Sequence, residues 1–303
     1  MEVFRHNRRR GAALMLSLWA LFLLSAMVIS WALNIDARLI MSAHANRNLE
    51  ALALACSGAE VAMCPNPPTK PDSPALVGGF GRDQRYEARI TGEGGRLNLK
   101  VLLPKLLAND PIAYEVMVKY LEIKGVDLNE REQMIDTLLD WVDPDNLVRL
   151  NGAEDEGGYK PANRMITNLE ELKKIKGWEE FTSAKDWDAD LTLSSTVLVD
   201  LAWATRDVLM SLPGASEDRV DQFLTMRSGS DEIDGTEDDG ITNIQEAESV
   251  LGFPPNQLAQ LGVVFKSDQV MRVTSVGRSG DVTRTVRAVF QRGSNQLKSW
   301  KEF

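Results

Sequence analysis

The feature that most constrains this chain is an uncharged run from Ala12 to Leu33, 22 residues long, behind a leader that reads MEVFRHNRRRG. As a helix the run is about 33 Å long, enough to cross a hydrocarbon core of about 30 Å. The leader carries four Arg against one Glu, and the next charges are Asp36 and Arg38. Positive charge stays on the cytoplasmic side, so the expectation is a single pass through a membrane with the bulk of the chain on the far side. A secretory signal peptide has a shorter apolar core, about 7–15 residues, and small residues at its far end. Here the small residues, Gly11-Ala12-Ala13, stand at the near end.

Helix-compatible sequence continues past the span, with no Gly until Gly58 and no Pro until Pro65. Ala45, Leu49, Leu52, Cys56, Ala59 and Met63 recur at spacings of three and four, which places them on one helical face. The reading is one continuous helix over 12–62, about 75 Å long, whose second half packs on a domain. A plain anchor followed by a separate helix is the alternative. The chain has two Cys, Cys56 and Cys64. Eight residues of straight helix hold them about 12 Å apart, too far for a disulfide, so pairing requires the chain to turn back at or before Pro65. Otherwise both remain thiols.

Residues 64–81 hold five Pro and three Gly and read as a loop. Tyr86, Ala88 and Ile90 alternate with Glu87 and Arg89, and Leu97, Leu99 and Val101 with Arg96, Asn98 and Lys100, so residues 86–101 predict a β-hairpin around Gly92-Glu93-Gly94-Gly95. Helical signals follow. Residues 105–121 are weakly periodic. Asp127 with Glu130, Thr167 with Glu170, and Thr242 with Gln245 stand as capping pairs, and Thr205 caps a helix near 205–211. Residues 191–201 read as a strand, 216–227 as a helix, and 270–277 and 282–291 as two closing strands. The fold class is therefore α+β: a long N-terminal helix packed on a small antiparallel sheet, with a large, mostly helical domain inserted in the sheet. Two domains in series are the alternative.

Net charge is −10, which argues against nucleic acid, because phosphate binding draws on clustered Lys and Arg. Residues 228–250 carry eight carboxylates and no Lys or Arg. Hard oxygen ligands on a Gly-rich loop suit Ca²⁺, with Asp234, Glu237, Asp238, Asp239 and Glu246 as candidate ligands in a spacing that partly echoes an EF-hand loop. The alternative is a solvated acidic loop. Asp143, Asp145 and Glu154 form a second candidate metal group, set against a plain helix-ending turn at Asp143-Pro144-Asp145. Leu212-Pro213-Gly214 between two short helices looks like a helix-hairpin-helix, but Glu217, Asp218 and Asp221 crowd it, so it reads as a packing module rather than a DNA contact. The two His, His6 and His44, lie in the leader and on the long helix, which leaves nucleophilic catalysis without a base. The expectation is no enzymatic activity. A paired-carboxylate hydrolase would need two acids in one cleft, and no spacing places them there.

Arg10-Gly11 followed by Ala12-Ala13-Leu14-Met15-Leu16 resembles a type IV pilin-like N-terminus, in which a prepilin peptidase cuts after the Gly. That class usually carries Glu at the fifth position after the cut; here it is Leu16, which resembles pseudopilin K of type II secretion systems. The middle of the chain is similar to that family as well. Its segments are Asp140-Trp141-Val142-Asp143-Pro144-Asp145, Gly152-Ala153-Glu154 with Tyr159, Asn168-Leu169-Glu170-Glu171-Leu172, Ala204-Thr205-Arg206-Asp207 and Leu212-Pro213-Gly214. Asp200 and Trp203 depart from the family's Asn-rich segment, as in a distant member. The resemblance implies a leader at 1–11 cut between Gly11 and Ala12, and a transmembrane and amphipathic helix at 12–62. It further implies the first part of a sheet at 63–103, an inserted helical domain at 104–265, and closing strands at 266–303. It implies calcium in the helical domain, and a minor pseudopilin at the tip of the secretion pseudopilus, with other minor pseudopilins, the peptidase and the inner membrane as partners. A membrane-anchored DNA-uptake receptor built on the helix-hairpin-helix is the rival function.

Overall fold

The computed structural model describes residues 3–65, 68–294 and 296–303. Helix α1 runs unbroken over Val3–Ala62, so the predicted continuous helix extends back through the leader. Its stretch from Ala13 holds a window of mean hydropathy 2.2, long and apolar enough to cross a membrane. Nothing between Leu14 and Glu50 is buried against the rest of the chain. Three residues past the helix end comes Pro65, which cannot continue it.

Strands β1 (Val77–Phe80) and β2 (Gln84–Gly92) follow as an antiparallel pair. After Gly92 the chain leaves the sheet. Strand β3 (Leu97–Asn98) leads into helices α2 (Leu99–Leu107), α3 (Pro111–Ile123) and α4 (Leu128–Val142). A 3-10 turn at Leu169–Lys174 precedes α5 (Glu179–Ser183), and β4 (Leu191–Thr192) pairs in parallel with β3. Next come β5 (Val199–Asp200), α6 (Arg206–Met210), α7 (Glu217–Arg227), α8 (Ile244–Leu251) and α9 (Gln257–Leu261). Strand β6 (Val263–Val264) pairs in parallel with β5. The chain then returns to the sheet as β7 (Val270–Ser279), β8 (Val282–Gln291) and β9 (Leu297–Glu302). The sheet order is β1-β2-β7-β8-β9, and β7 joins β2 antiparallel over its whole length. Residues 93–269 therefore lie between two paired strands of one sheet, so the insert begins before the expected 104 and ends after the expected 265.

Three local readings differ. The second half of the expected hairpin is not a strand beyond Asn98. The Asn98 side chain accepts from Lys100 N at 3.0 Å and caps α2, because Leu99, Leu102, Leu103 and Leu106 bury one helical face. The partners of β2 are instead β1, inside the segment read as loop, and β7. The expected strand over 191–201 is two short parallel strands on either side of a turn. Two capping pairs shift by one residue, to Asn168 with Glu171 and to Asn243 with Glu246.

The face of α1 against the sheet is also rotated from the apolar stripe. Ala51, Ala55, Gly58, Ala59 and Ala62 are buried there, while Leu49 is 67% exposed and Leu52, Cys56 and Met63 lie at the margin. Close approach explains the rotation. A Cβ on Gly277 would stand 2.0 Å from Ala51 O, and one on Gly58 would stand 2.4 Å from the Ser275 hydroxyl. Small residues permit that contact, and hydropathy does not register them. The same contacts set the polarity of the molecule. β7 runs antiparallel to α1, so the insert springs from the end of the sheet next to the C-terminus of α1, away from the apolar span.

The core of the insert is separate and large, built on Leu97, Leu102, Tyr120, Trp178, Leu209 and Phe223 among others. Trp178 Nε1 donates to Met134 O at 2.9 Å, tying α5 to α4. The buried Glu93 seals the joint between insert and sheet. It accepts from Arg272 Nε and Nη2 at 2.6 and 2.9 Å and from the Thr192 hydroxyl at 2.5 Å.

Candidate functional site

Three features were singled out in the sequence: the acidic loop, the second acidic group and the helix pair around Leu212-Pro213-Gly214. In the loop, Gly229 and Gly235 adopt φ of 64° and 87°, which lets the chain fold back on itself. Asp238 Oδ2 accepts from Ser230 N and Oγ at 2.7 Å and from Asp231 N at 3.2 Å, and its Oδ1 accepts from the Thr236 hydroxyl at 2.7 Å. These bonds, those from Thr236 and Ser230 first, hold Asp238 far below the usual carboxylate range. Asp239 accepts from Gly235 N and pairs with Lys266 at 2.8 Å. Glu237 pairs with Lys70 at 2.8 Å, and Asp234 takes both Nε and Nη2 of the buried Arg227 at 2.8 Å. Glu246 accepts from Thr242 N and Oγ1, while Asn243 Oδ1 accepts from Glu246 N, so these two cap α8.

The loop therefore does have counter-charges. They come from Arg227, Lys70 and Lys266, outside the segment 228–250, and local sequence cannot show them. The five candidate ligands do not converge: among the described residues no three His, Cys, Asp or Glu side chains form a metal-holding group. Trp203 is the element that positions the loop. Its ring fills the space a Cβ on Gly235 would take at 2.2 Å, and the same ring abuts Gly92.

The second acidic group is different. Asp140, on the buried face of α4, is fully enclosed and accepts from Arg149 Nη1 at 2.6 Å. Arg149 also bonds Asp143. Asp145 lies exposed and accepts from Leu147 N at 2.8 Å. Glu154 is 7% exposed, yet both its carboxylate oxygens and Asp143 Oδ1 lack a hydrogen-bond partner. Desolvation, then the charges of Asp140, Asp143 and Asp145, push the Glu154 carboxyl up, with Arg149 opposing. Glu154 thus carries two orphaned anionic oxygens in the field of three more carboxylates, although these four acids, like the loop, form no metal-holding group of three. Sequence spacing marked Asp143, Asp145 and Glu154. It missed Asp140, whose place on an apolar helical face disguised it.

In the third feature, the Thr205 hydroxyl accepts from Val208 N and caps α6 as expected. Arg206 is bound to Glu217 at 2.6 Å and to Asp221 at 2.7 Å, and Arg227 is buried. Two of the arginines a phosphate would need, Arg206 and Arg227, are already paired, which weakens the DNA-uptake rival. Cys56 is a free thiol, so the disulfide with Cys64 is not formed. The reason is that α1 holds its rise to Ala62, with Met63 N still donating to Ala59 O. Burial raises the Cys56 thiol first, then the charges of Glu302 and Glu60.

A long apolar helix laid on a five-stranded antiparallel sheet, with a helical domain set into that sheet, is the architecture of a pilin-like protein with an insert. Residues 95–185 match the family described as type II secretion system (T2SS), protein K. The type II secretion system protein K of Dickeya chrysanthemi is 32% identical over 71 residues, which is 23% of this chain and 20% of that relative. The fold aligns with a chain in the crystal structure of the GspK-GspI-GspJ complex from the enterotoxigenic Escherichia coli type 2 secretion system. That alignment has a TM-score of 0.62 and 12% identity, and it covers 87% of this chain and 99% of the other. Over residues 95–185 the chain is similar to protein K of type II secretion systems.

Proposed function

We propose that this protein is a non-catalytic minor pseudopilin that caps the tip of a type II secretion pseudopilus, anchored in the inner membrane by α1 before assembly. The observation that carries this reading is the place of the insert. It springs from the sheet end farthest from the apolar span, where the next subunit of a filament would have to stack. The solved neighbour is a complex of GspK with GspI and GspJ, so the partners here are two other minor pseudopilins. Leu16 adds support. The Glu usual at that position would neutralise the α-amino group of a neighbouring subunit in an apolar core, where an unpaired charge is costly. A terminal subunit has no such neighbour above it. Replacing Leu16 with Glu should leave tip assembly and secretion largely intact; abolished secretion would refute this role for Leu16. The class itself is tested by intact mass after co-expression with a prepilin peptidase. A form beginning at Ala12 only when the peptidase is present supports it, and an uncut chain refutes it.

Calcium in the insert is a second reading, and Glu154 favours it. Glu154 would supply unpartnered hard anionic oxygens, and the ion would offset the repulsion it feels from Asp140 and Asp143. Millimolar Ca²⁺ should raise the Tm of the purified protein over chelator, and Glu154→Gln should remove most of that gain. A Tm unmoved by Ca²⁺ would end this reading, and a gain that survives Glu154→Gln would move the ion to another set of carboxylates.

A further inference from the structure

One face of the sheet is covered by α1, through Ala88, Ile90, Met271, Val273, Val286 and Ala288. Strand alternation puts the neighbouring residues on the opposite face. There the register aligns Arg85 directly with Arg278, and it aligns Arg89, Thr274, Arg287 and Lys301 in one row across four strands. Arg272 lies on the same face. Six cations thus share it with one carboxylate, Glu87, in a chain whose net charge is −10.

The two parts of this face differ. On the part that the insert reaches, Arg272 and the β8–β9 side, every cation meets a carboxylate. Arg272 is held by Glu93, Arg287 by Asp188 at 2.9 Å, and Lys301 by Asp188 and Glu170 at 3.2 Å. On the part of β2 and β7 that the insert does not reach, Arg85, Arg89 and Arg278 are exposed and form no ion pair among the described residues. Like charges directly opposite on neighbouring strands are destabilising, so the Arg85–Arg278 pair costs the isolated molecule stability.

Resting on the tip reading, we propose that this uncovered arginine face is a docking surface for an acidic face of a neighbouring minor pseudopilin, which continues the pattern of carboxylates the insert already supplies. A membrane does not fit. Ala51, the first buried contact of α1 with the sheet, lies about 27 Å along the helix from Leu33, several Debye lengths from a lipid headgroup.

The test uses the full chain in detergent micelles, mixed with the two other minor pseudopilins of the same system and, separately, with a labelled poly-glutamate peptide. Arg85→Glu/Arg89→Glu/Arg278→Glu should weaken both associations by about tenfold or more, and raised salt should weaken the wild type far more than this variant. The matching triple Gln variant should weaken them less and keep or raise Tm, which separates lost docking from lost folding. Assembly and peptide binding unchanged in the Glu variant would overturn the surface while leaving the tip reading in place. A wild type that fails to assemble but binds poly-glutamate through these arginines would sink the tip reading and support the acidic ligand class. Tighter binding of duplex DNA than of poly-glutamate at physiological salt would overturn the assignment to an acidic protein.

Discussion

The joint between α1 and the sheet is made of the smallest residues in the chain, and the core of the insert is made of its largest. At the joint, Ala51, Ala55, Gly58 and Gly277 let backbone meet backbone, and a single added Cβ collides at 2.0 Å. In the insert, Trp178 stacks edge-on to Phe181 with ring centroids 5.4 Å apart, and Phe181 meets Trp187 at 6.4 Å. The first region is intolerant of added atoms, the second of removed ones. One buried ion pair, Glu93 with Arg272, couples the two.

The largest effect that would sharpen this contrast is Trp178→Ala. Removing the ring should cost about 3–5 kcal/mol, read as a lower denaturant midpoint for the insert while the contact of α1 with the sheet persists. Equal loss in both regions would show that they unfold as one unit. Next comes Arg272→Met, which strands the Glu93 carboxylate. Breaking a buried pair from one side costs about 3–5 kcal/mol, so the midpoint should fall for insert and sheet together; a change confined to one region would break the coupling. Gly277→Val should cost about 1–3 kcal/mol by overpacking, with loosening confined to α1 and the sheet, as hydrogen exchange would report. The smallest effect is set by pH. Desolvation acts to raise Glu171, but bonds from Thr167 N and Oγ1, Arg164 and Asn168 N outweigh it and hold the carboxyl down at about 2. A depressed carboxylate stabilises the fold above its unfolded pKa near 4.5. That stability fades as pH falls toward about 2, when the folded carboxyl also takes up its proton. Acid titration should loosen the 169–174 turn in this window in the wild type, and Glu171→Gln should flatten the dependence.

Much of this was legible in the residues. The apolar run, the long helix, the closing strands and the Thr205 cap rest on local pattern, and the structure follows it. The insertion was legible because strand signals stand on both sides of a helical stretch. The rest depends on contacts distant in sequence. The rotation of α1 follows Gly277 and Ser275, more than 200 residues on. Leu97-x-Leu99-x-Val101 fits a strand, but Asn98 starts a helix because its amide donates to Ser195 O and Val197 O. The loop carboxylates were visible and their partners Lys70, Arg227 and Lys266 were not. Asp140 and Glu93 gave no signal, since an acid on an apolar face means nothing until its cation is in place.

The insertion also has a consequence for how the chain folds. Gly92 and Met271 are cross-strand neighbours, yet residues 93–269 lie between them. Closing a disordered loop of that length carries an entropic cost that a folded insert has already met. Such long-range pairing is slow, so the halves of the sheet zip together after the insert has brought their ends close. Until then the β1–β2 pair waits without β7, and the small-residue face of α1 lacks its full sheet. A chain whose insert misfolds cannot bring β2 and β7 together, so a completed sheet reports an intact insert.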